Sequence, residues 1–351
     1  MTIGVIGTGW STRVQIPAFR AAGLEVVALA GRNRDKTRRL AQEQNVGFAT
    51  DDWRDVLRRD EVRLVSIVTP PNLHKEMAIA ALEAGKHVVC EKPMALDANE
   101  TKAMVEAARR HSQLFTLIDH ELRCLPSLHL ARRQIQSGSL GALRHVEATI
   151  IGSSRSDPSR PWTWWSDAEQ GGGVLGALGS HMIDQIRFLL GPIAAVNGLT
   201  HICIRERPGD TGPRAVTADD YSALLLRLAN GVPGTITMSA VAGVAEPTRM
   251  TAHFERGALR IEAGRLLLSE GGSDFRDLTP TDSVDIPDEL RGGEFPRGSV
   301  YLGHALKRAL NGDLTALAEA ATFVDGDRVQ RILDAARRSS ATNGGWIGIE
   351  D

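Results

Sequence analysis

The N-terminal third of the chain alternates short apolar runs with stretches of helical periodicity. The apolar runs are rich in Val and Ile and are bounded by Gly, Pro or Asp, so we predict strands over 3–7, 24–30, 64–69, 87–90 and 114–118. Between them we predict helices near 34–44, 72–85 and 97–111. Because strand and helix alternate strictly, the pattern predicts a parallel sheet that is covered by helices on both faces.

After about residue 120 this alternation gives way to a different pattern. Helices are predicted over 124–137 and 176–190, and strands over 143–151, 193–204, 215–229, 232–242, 249–255 and 258–268. The turn dipeptides Asn230-Gly231 and Arg256-Gly257 separate successive strands, which favours antiparallel pairing. The segment 270–298 is rich in Gly, Pro and Asp and is predicted to be a loop, and helices near 301–311 and 314–339 follow it.

These patterns predict an α/β protein of two domains, which is ordinary for 351 residues. The first domain spans 1–120. The second spans 121–351 and is an α+β domain with an open, mostly antiparallel sheet, and its C-terminal helices are expected to pack back on the first domain.

Composition and charge narrow the class of protein. Hydrophobic residues make up 42% and charged residues 24%, and the net charge of −2 argues against a nucleic-acid partner that needs a basic face. Cys90, Cys124 and Cys203 are widely spaced, so we expect no disulfide framework, no zinc or other metal site, and a reducing compartment. Without a leader pattern or an apolar run of roughly 20 residues, the expectation is a cytoplasmic protein with no membrane partner.

A glycine-rich turn follows the first predicted strand directly. Its sequence is Gly7-Thr8-Gly9-Trp10-Ser11-Thr12. The first glycine allows a tight turn, the second lets the backbone approach a pyrophosphate, and the next helix directs its free N–H groups at the phosphates. This arrangement predicts a Rossmann dinucleotide-binding domain. Thr12 stands in the third glycine position and Pro17 lies where the helix should run, so we expect the helix to start late or to kink.

The end of the second predicted strand bears on which dinucleotide is bound. An NAD site usually places Asp or Glu here to accept hydrogen bonds from the ribose hydroxyls, whereas this chain has Arg32, followed by Asn33. A guanidinium has no acceptor but forms charge-assisted hydrogen bonds with a 2′-phosphate. Arg34 and Lys36 add positive potential. We therefore predict NADP rather than NAD; a solvated basic surface is the alternative.

Several further motifs, taken in order, resemble those of the Gfo/Idh/MocA oxidoreductases (glucose–fructose oxidoreductase, inositol dehydrogenase and relatives). They are the glycine turn, Thr69-Pro70-Pro71-Asn72-Leu73-His74, Glu91-Lys92-Pro93, the three glycines 171–173, and Gly179-Ser180-His181-Met182-Ile183-Asp184. The resemblance covers nearly the whole chain. It implies cofactor contacts from Thr69, Pro70, Asn72, His74, Glu91 and Lys92, and a homodimer or homotetramer formed through the C-terminal sheet.

Lys92 is the candidate catalytic residue. Hydride transfer between a nicotinamide and a carbinol carbon needs a group that takes or returns the hydroxyl proton. Lys92 follows the carboxyl end of a predicted parallel strand, where α/β sheets bind their ligands. A surface lysine is the alternative, and the resemblance favours catalysis.

The resemblance also implies proton transfer or substrate binding by His181, on the helix after the glycines. Family members commonly carry Asp four residues earlier, where this chain has Ala177, so a Lys–Asp–His relay is not complete. His181 then acts with Lys92 alone, or His120 supplies the missing polar group, or His181 is structural. Asp184 either orients His181 or lies on a helix surface or interface.

The remaining candidates are substrate contacts. His120 and Arg123 follow the last strand of the first domain and are expected to contact substrate or nicotinamide, or else to form a salt bridge at the hinge. Trp162, Trp164 and Trp165 are three of only six tryptophans, within four positions of a polar segment. They either stack on a sugar or nicotinamide ring or anchor the loop to the core or another subunit.

The sequence thus predicts an NADP-dependent oxidoreductase that acts on a sugar, polyol or related hydroxy or keto compound, where the substrate class follows from the resemblance. The alternative is a dinucleotide-binding sensor of the same fold, which Ala177 favours and which Lys92 and His181 oppose.

Overall fold

The computed structural model describes residues 2–350 and shows two compact units. The first unit contains the chain up to Ala95 together with Asn99–Leu125 and Asp282–Asp327. The second contains Leu96–Ala98, Pro126–Thr281 and the chain from Arg328 onward. Compared with the predicted division at 120, the first unit continues for five more residues and also includes a C-terminal segment.

Six parallel strands form the sheet of the first unit. They are β1 (Thr2–Ile6), β2 (Glu25–Ala30), β3 (Phe48–Thr50), β4 (Leu64–Ile67), β5 (His87–Cys90) and β6 (Thr116–Ile118), in the order β3-β2-β1-β4-β5-β6. The connecting helices are α1 (Ile16–Ala21), α2 (Arg34–Glu43), α3 (Trp53–Leu57), α4 (His74–Glu83) and α5 (Ala98–Arg110). The strand order reverses between β1 and β4, and in such sheets ligands bind at the carboxyl ends of the strands beside that point.

Both faces of this sheet are buried, as the alternating pattern predicts. Ile6, Ile67 and Cys90 pack into one apolar cluster. Their neighbours on the strands, such as Val5 and Val89, pack into a second cluster. Successive strand residues point to opposite faces, so two separate cores fix the register of the sheet.

The second unit is built on a mixed sheet of nine strands. Its strands, with the separate hairpin β9–β10, are β7 (Leu143–Ile151), β8 (Ile193–His201), β9 (Glu206–Gly209), β10 (Gly212–Ala215), β11 (Tyr221–Leu228), β12 (Pro233–Ser239), β13 (Arg249–Phe254), β14 (Gly257–Glu262), β15 (Arg265–Glu270), β16 (Arg276–Asp277) and β17 (Ile347–Gly348). The sheet order is β16-β15-β14-β13-β7-β12-β11-β8-β17, and only β7 and β12 pair in parallel. The helices are α6 (Pro126–Gln136) and α7 (Ser180–Leu190), followed by α8 (Glu294–Leu310) in the first unit and by α9 (Phe323–Ala341). The predicted fold class, a Rossmann sheet plus an open and mostly antiparallel sheet, is confirmed.

Some predicted elements differ from the structure. The strand predicted over 258–268 is the hairpin β14–β15, because Ala263 and Gly264 both have positive φ, 46° and 76°, and reverse the chain. The predicted loop 270–298 contains β16 and the first turn of α8. Neither β3 nor α3 was predicted. No helix within residues 2–350 is both long and apolar enough to cross a membrane.

Candidate functional site

The glycine turn after β1 has one glycine that the fold requires and one that it does not. Gly7 has a φ of 117°, and a Cβ added there would lie 2.1 Å from the carbonyl oxygen of Val68. Gly9 is exposed, and a Cβ added there would meet no protein atom within 4 Å. The protein itself therefore gives no reason for glycine at position 9, and the space above it fits a bound group that approaches the backbone closely.

The helix that follows starts directly after Gly9, so a late start is not what the structure shows. Its first five residues, Ser11–Gln15, form a π-helical turn that continues into α1. This turn precedes Pro17, which has no N–H with which to extend an α-helical pattern. The half-buried Trp10 stands at the start of this helix.

The hydroxyl groups of this helix close the glycine turn. Ser11 donates to the Gly7 carbonyl at 2.6 Å, and the Thr12 hydroxyl lies 3.3 Å from the Gly9 carbonyl. Thr12 thus stands in the third glycine position with its hydroxyl bound to the turn itself. These two residues shape the site. The Gly7 N–H donates to the Ala30 carbonyl at 2.8 Å, so the N–H groups of Thr8 and Gly9 are the ones left for a ligand.

The end of β2 lies beside the same turn. A Cβ added to Gly31 would lie 2.5 Å from the Thr8 methyl group, which shows how closely the two segments approach. The next residue, Arg32, is exposed, and its guanidinium has no hydrogen-bond or ion-pair partner within residues 2–350. Asn33 caps α2, since its side-chain oxygen accepts the Lys36 N–H at 2.9 Å. Arg32 is thus available to a ligand, whereas the amide oxygen of Asn33 is already used.

His74 links the loops that follow β4 and β5. Its ring is fully buried, with Nε2 2.9 Å from the Thr69 carbonyl and Nδ1 3.1 Å from the Pro93 carbonyl. Burial lowers the pKa of His74, so the ring is neutral and donates to one of these oxygens at a time. The ring therefore holds the loop that carries Lys92, while Pro70 is half-buried and Asn72 is exposed in the turn Pro71–Leu73.

A buried polar network lies next to Lys92. The Gln15 amide donates to Glu91 Oε1 at 3.0 Å and to Asp119 Oδ2 at 2.6 Å, and it accepts the Ser66 hydroxyl at 2.6 Å. Glu91 also accepts the Lys92 N–H at 3.3 Å. Lys92 itself is half-buried, and its peptide bond to Pro93 is cis. The network fixes the residue directly before the candidate catalytic lysine.

The carboxyl groups of this network resist ionisation. Burial, followed by the charge of Glu91, raises the pKa of Asp119 well above its ordinary value. Burial also raises the pKa of Glu91, against the opposing charge of Lys92. Glu121, buried nearby, has its pKa raised well above its ordinary value by burial and by these two carboxyls. Each of these carboxylates disfavours the ionisation of the others, so the cluster keeps its protons to a higher pH than free carboxyl groups do.

Gln15 and Asp119 were missed in the sequence interpretation. Asp119 follows β6 as Glu91 follows β5, and these strands are neighbours, so their carboxyl ends bring both side chains to one edge. That signal was present in the sequence. Nothing in the sequence pattern indicated that Gln15 reaches both.

The other candidates of the first unit are buried as well. His120 is 3% exposed. Arg123 forms a salt bridge of 3.3 Å with Asp325, which corresponds to the structural alternative for that residue. No group of His, Cys, Asp or Glu side chains in the described range 2–350 is arranged to hold a metal ion.

The candidates of the second unit lie on one continuous segment. The glycines 171–173 lead into a π-helical turn, Leu175–Gly179, and then into α7. His181 and Asp184 are both buried in the first half of α7, and Ala177 is buried in the turn before it. Asp184 is therefore not a solvent-exposed carboxylate.

The tryptophan segment is tied down by arginines and backbone oxygens. Arg214 lies over the Trp162 ring at 3.2 Å, and Trp162 Nε1 donates to the Ala215 carbonyl at 3.0 Å. Arg155 lies over the Trp165 ring at 4.1 Å. One face of each ring is thus occupied by a guanidinium within the unit.

Comparison with known proteins agrees with this description. Residues 1–118 match the model of an oxidoreductase family with an NAD-binding Rossmann fold, and residues 128–260 match the GFO/IDH/MocA C-terminal domain. The glucose-fructose oxidoreductase domain-containing protein 2 of Homo sapiens is 32% identical over 363 residues, which cover 99% of this chain and 93% of that protein. Levoglucosan dehydrogenase of Pseudarthrobacter phenanthrenivorans is 31% identical over 262 residues, which cover 67% of this chain and 66% of that protein.

Solved structures give the same result. A levoglucosan dehydrogenase in complex with NADH and levoglucosan superposes with a TM-score of 0.89 at 26% identity, and each chain is covered completely. An oxidoreductase domain protein from Kribbella flavida gives 0.87 at 29% identity over 99% of both chains. The resemblance stated from the motifs is confirmed, and with it the prediction of an NAD(P)-dependent oxidoreductase that acts on CH–OH or C=O groups. The chain therefore belongs to the GFO/IDH/MocA family of oxidoreductases, whose N-terminal domain is an NAD-binding Rossmann fold.

Proposed function

We propose that the protein is an NADP-dependent dehydrogenase or reductase that transfers a hydride between the nicotinamide and a sugar, polyol or related compound. The observation that carries the proposal is the open space above Gly9, at the carboxyl end of β1 and at the point where the strand order reverses. The pyrophosphate of a dinucleotide is the group expected to lie against the backbone there. The sugar substrate is supported by relatives named as levoglucosan dehydrogenase.

The preference for NADP rests on Arg32. Its exposed, unpartnered guanidinium lies at the end of β2, where the adenosine ribose is bound in such folds. A 2′-phosphate accepts two charge-assisted hydrogen bonds from such a group, whereas a bare ribose hydroxyl gains little from it. The solved levoglucosan dehydrogenases that contain NADH differ from this chain at about three positions in four. Their cofactor therefore does not decide between NADP and NAD for this protein, and the proposal is argued from its own residues.

When bound, NADP or NADPH supplies the hydride acceptor or donor. The protein's own task is then to hold the substrate and to move the hydroxyl proton, which we assign to Lys92 Nζ. The buried network of Gln15 and Glu91 keeps the backbone of Lys92 in place. We assign substrate-hydroxyl binding to His181, because Ala177 offers no carboxylate to complete a relay.

The catalytic role of Lys92 is tested with Lys92→Met, which removes the amine and keeps the length of the side chain. We expect turnover, followed at 340 nm with a panel of sugars, inositols and keto-sugars, to fall by about 10²–10⁴-fold. The affinity for NADPH, measured by titration calorimetry, should be retained. Lys102→Met, at an exposed position on α5, is the matched control and should behave as wild type. NADPH binding by the wild type without turnover of any panel member would contradict the proposed substrate class of uncharged sugars and polyols.

The cofactor preference is tested with Arg32→Ala. Loss of the phosphate contact should raise the KM for NADPH by about tenfold or more, with little change in the KM for NADH. Arg109→Ala removes an exposed arginine of the same unit and should change neither value. An equal change for both cofactors in Arg32→Ala would show that Arg32 does not read the 2′-phosphate.

A further inference from the structure

A half-buried arginine in the second unit has no acceptor for its hydrogen-bond donors. The Arg155 guanidinium lies on the face of Trp165, 4.1 Å from the ring centre, and within residues 2–350 no oxygen accepts from it. A guanidinium presents five N–H donors, and those of Arg155 remain available to an acceptor from outside the protein. The Trp165 ring fixes its plane, so its edge is presented in one orientation.

Two further arginines lie near the Arg155 guanidinium, and a single carboxylate accompanies them. The Arg207 side chain is 4% exposed and donates only to the backbone carbonyls of Asp157 and Arg155, at 2.8 and 2.6 Å. Arg160 donates to the Ser154 carbonyl at 2.5 Å. The one carboxylate of the cluster, Asp157, accepts from the Ser159 N–H and hydroxyl at 2.8 and 2.7 Å.

Burial and the neighbouring positive charges together lower the pKa of Arg155. Burial, then the charges of Arg160 and Arg207, lower the pKa of Arg155 to about 10. The side chain is still protonated at neutral pH, and the charges of the two neighbouring arginines add to the effect of burial. Such a place attracts an anion from solution.

The cluster is attached to the segment that positions His181. The Trp165 carbonyl accepts the Gly173 N–H at 3.2 Å, and a Cβ added to Gly172 would lie 2.5 Å from the same oxygen. The chain then continues through the turn Leu175–Gly179 into α7, which carries His181. Arg155 therefore contacts Trp165, whose backbone is hydrogen-bonded to the segment that leads into α7 and His181.

We propose that Arg155, seated on Trp165 and reinforced by Arg160 and Arg207, binds a negatively charged group of the substrate, so that the substrate is a sugar or polyol bearing a carboxylate or a phosphate. This inference rests on the proposed function. A carboxylate or phosphate accepts two parallel hydrogen bonds from one guanidinium, which satisfies the donors that the protein leaves open.

The test is binding to the 351-residue protein without cofactor, by titration calorimetry and thermal unfolding. The probes are glucuronate, glucose 6-phosphate, uncharged glucose and inorganic phosphate. We expect one of the acidic sugars to bind and to raise the Tm, with glucose much weaker. Arg155→Gln should weaken that binding by about tenfold to a hundredfold, and Arg155→Lys, which keeps the charge without the fork, should do so less. Arg133→Gln, an exposed position on α6, should have no effect.

Three results would overturn the inference. They are glucose binding as tightly as its acidic derivatives, inorganic phosphate alone accounting for the whole effect, and a folded Arg155→Gln variant that binds with unchanged affinity. If Arg155→Gln does not fold, Arg160→Gln, at an exposed position, gives a smaller loss in the same direction. NADPH titration of the same samples separates the two proposals, since the proposed function fails if NADPH is not bound even where the acidic sugar is.

Discussion

At the scale of single residues, the Asp119 carboxyl stands in surroundings that oppose its ionisation. It is 1% exposed, and its pKa is raised by burial and by Glu91. The folded protein therefore keeps this proton to a higher pH than the unfolded chain does. As the pH rises from the ordinary value near 4 towards the raised pKa, the free energy of unfolding should fall.

Asp119→Asn tests this pH dependence. The amide does not titrate and its oxygen still accepts from Gln15, so the variant should gain stability relative to wild type as the pH rises through that window. Urea unfolding at a series of pH values measures the difference. Asp60→Asn, at an exposed position, should show no such trend. If the difference between Asp119→Asn and wild type stays constant with pH, the carboxyl is ionised in the folded state.

Site residues could be predicted from the sequence where a reactive or charged side chain follows a predicted strand. Lys92 and Glu91 were identified because they follow a predicted strand at the end where ligands bind, and Arg32 because it stands where an acid is usual. Gln15 was not, because it lies in a helix among apolar neighbours and its partners are 76 and 104 residues away. A contact of that separation leaves no periodic trace in the sequence.

At the scale of elements, the two glycines of the turn after β1 have different roles: Gly7 is needed for folding and Gly9 for cofactor binding. Gly7→Ala would place a side chain with a φ of 117° against the Val68 carbonyl, so it should lower the free energy of unfolding by about 2 kcal/mol or more. Gly9→Ala meets no protein atom and should leave the stability near that of wild type. The same Gly9→Ala change should weaken NADPH binding by about tenfold or more, because the methyl group occupies the space of the pyrophosphate.

Urea unfolding and NADPH titration of both variants distinguish these roles. Gly47→Ala serves as a control for glycine replacement, since its added Cβ also meets no protein atom and the residue lies outside the turn. A Gly9→Ala variant that binds NADPH as wild type does would show that the pyrophosphate does not approach this backbone.

The bounds of the strands and helices were predicted best where the hydrophobic pattern was clearest. The strands β1, β4 and β5 were predicted within two residues of their bounds, because buried parallel strands are continuous apolar runs. The hairpin β14–β15 was predicted as one strand, since Ala263 is an unusual residue at positive φ and gives no turn signal of its own. The start of α8 was placed seven residues late, because Gly292, Gly293 and Pro296 in that segment favour a loop, although Pro fits the first turn of a helix.

At the scale of the whole molecule, the open face of the nine-stranded sheet carries exposed leucines. Leu225 on β11 and Leu199 on β8 are 50% and 55% exposed, and Leu225 pairs with Asn197, two residues from Leu199. The opposite face of these strands is buried, for instance at Gly198, which packs against Ala336 of α9. An antiparallel sheet that faces water on one side usually carries polar residues there.

We propose that two copies of the chain pair through this face, because a two-fold contact brings the same patch to itself and needs no second surface. Leu225→Lys would place a charge in that contact on each copy and should convert the oligomer to monomer, as measured by light scattering after size-exclusion chromatography. Leu314→Lys, equally exposed but outside the sheet, should leave the mass unchanged. A wild-type protein that is monomeric at micromolar concentration, or a Leu225→Lys variant with unaltered mass, would contradict pairing through the sheet and leave the exposed leucines without a partner.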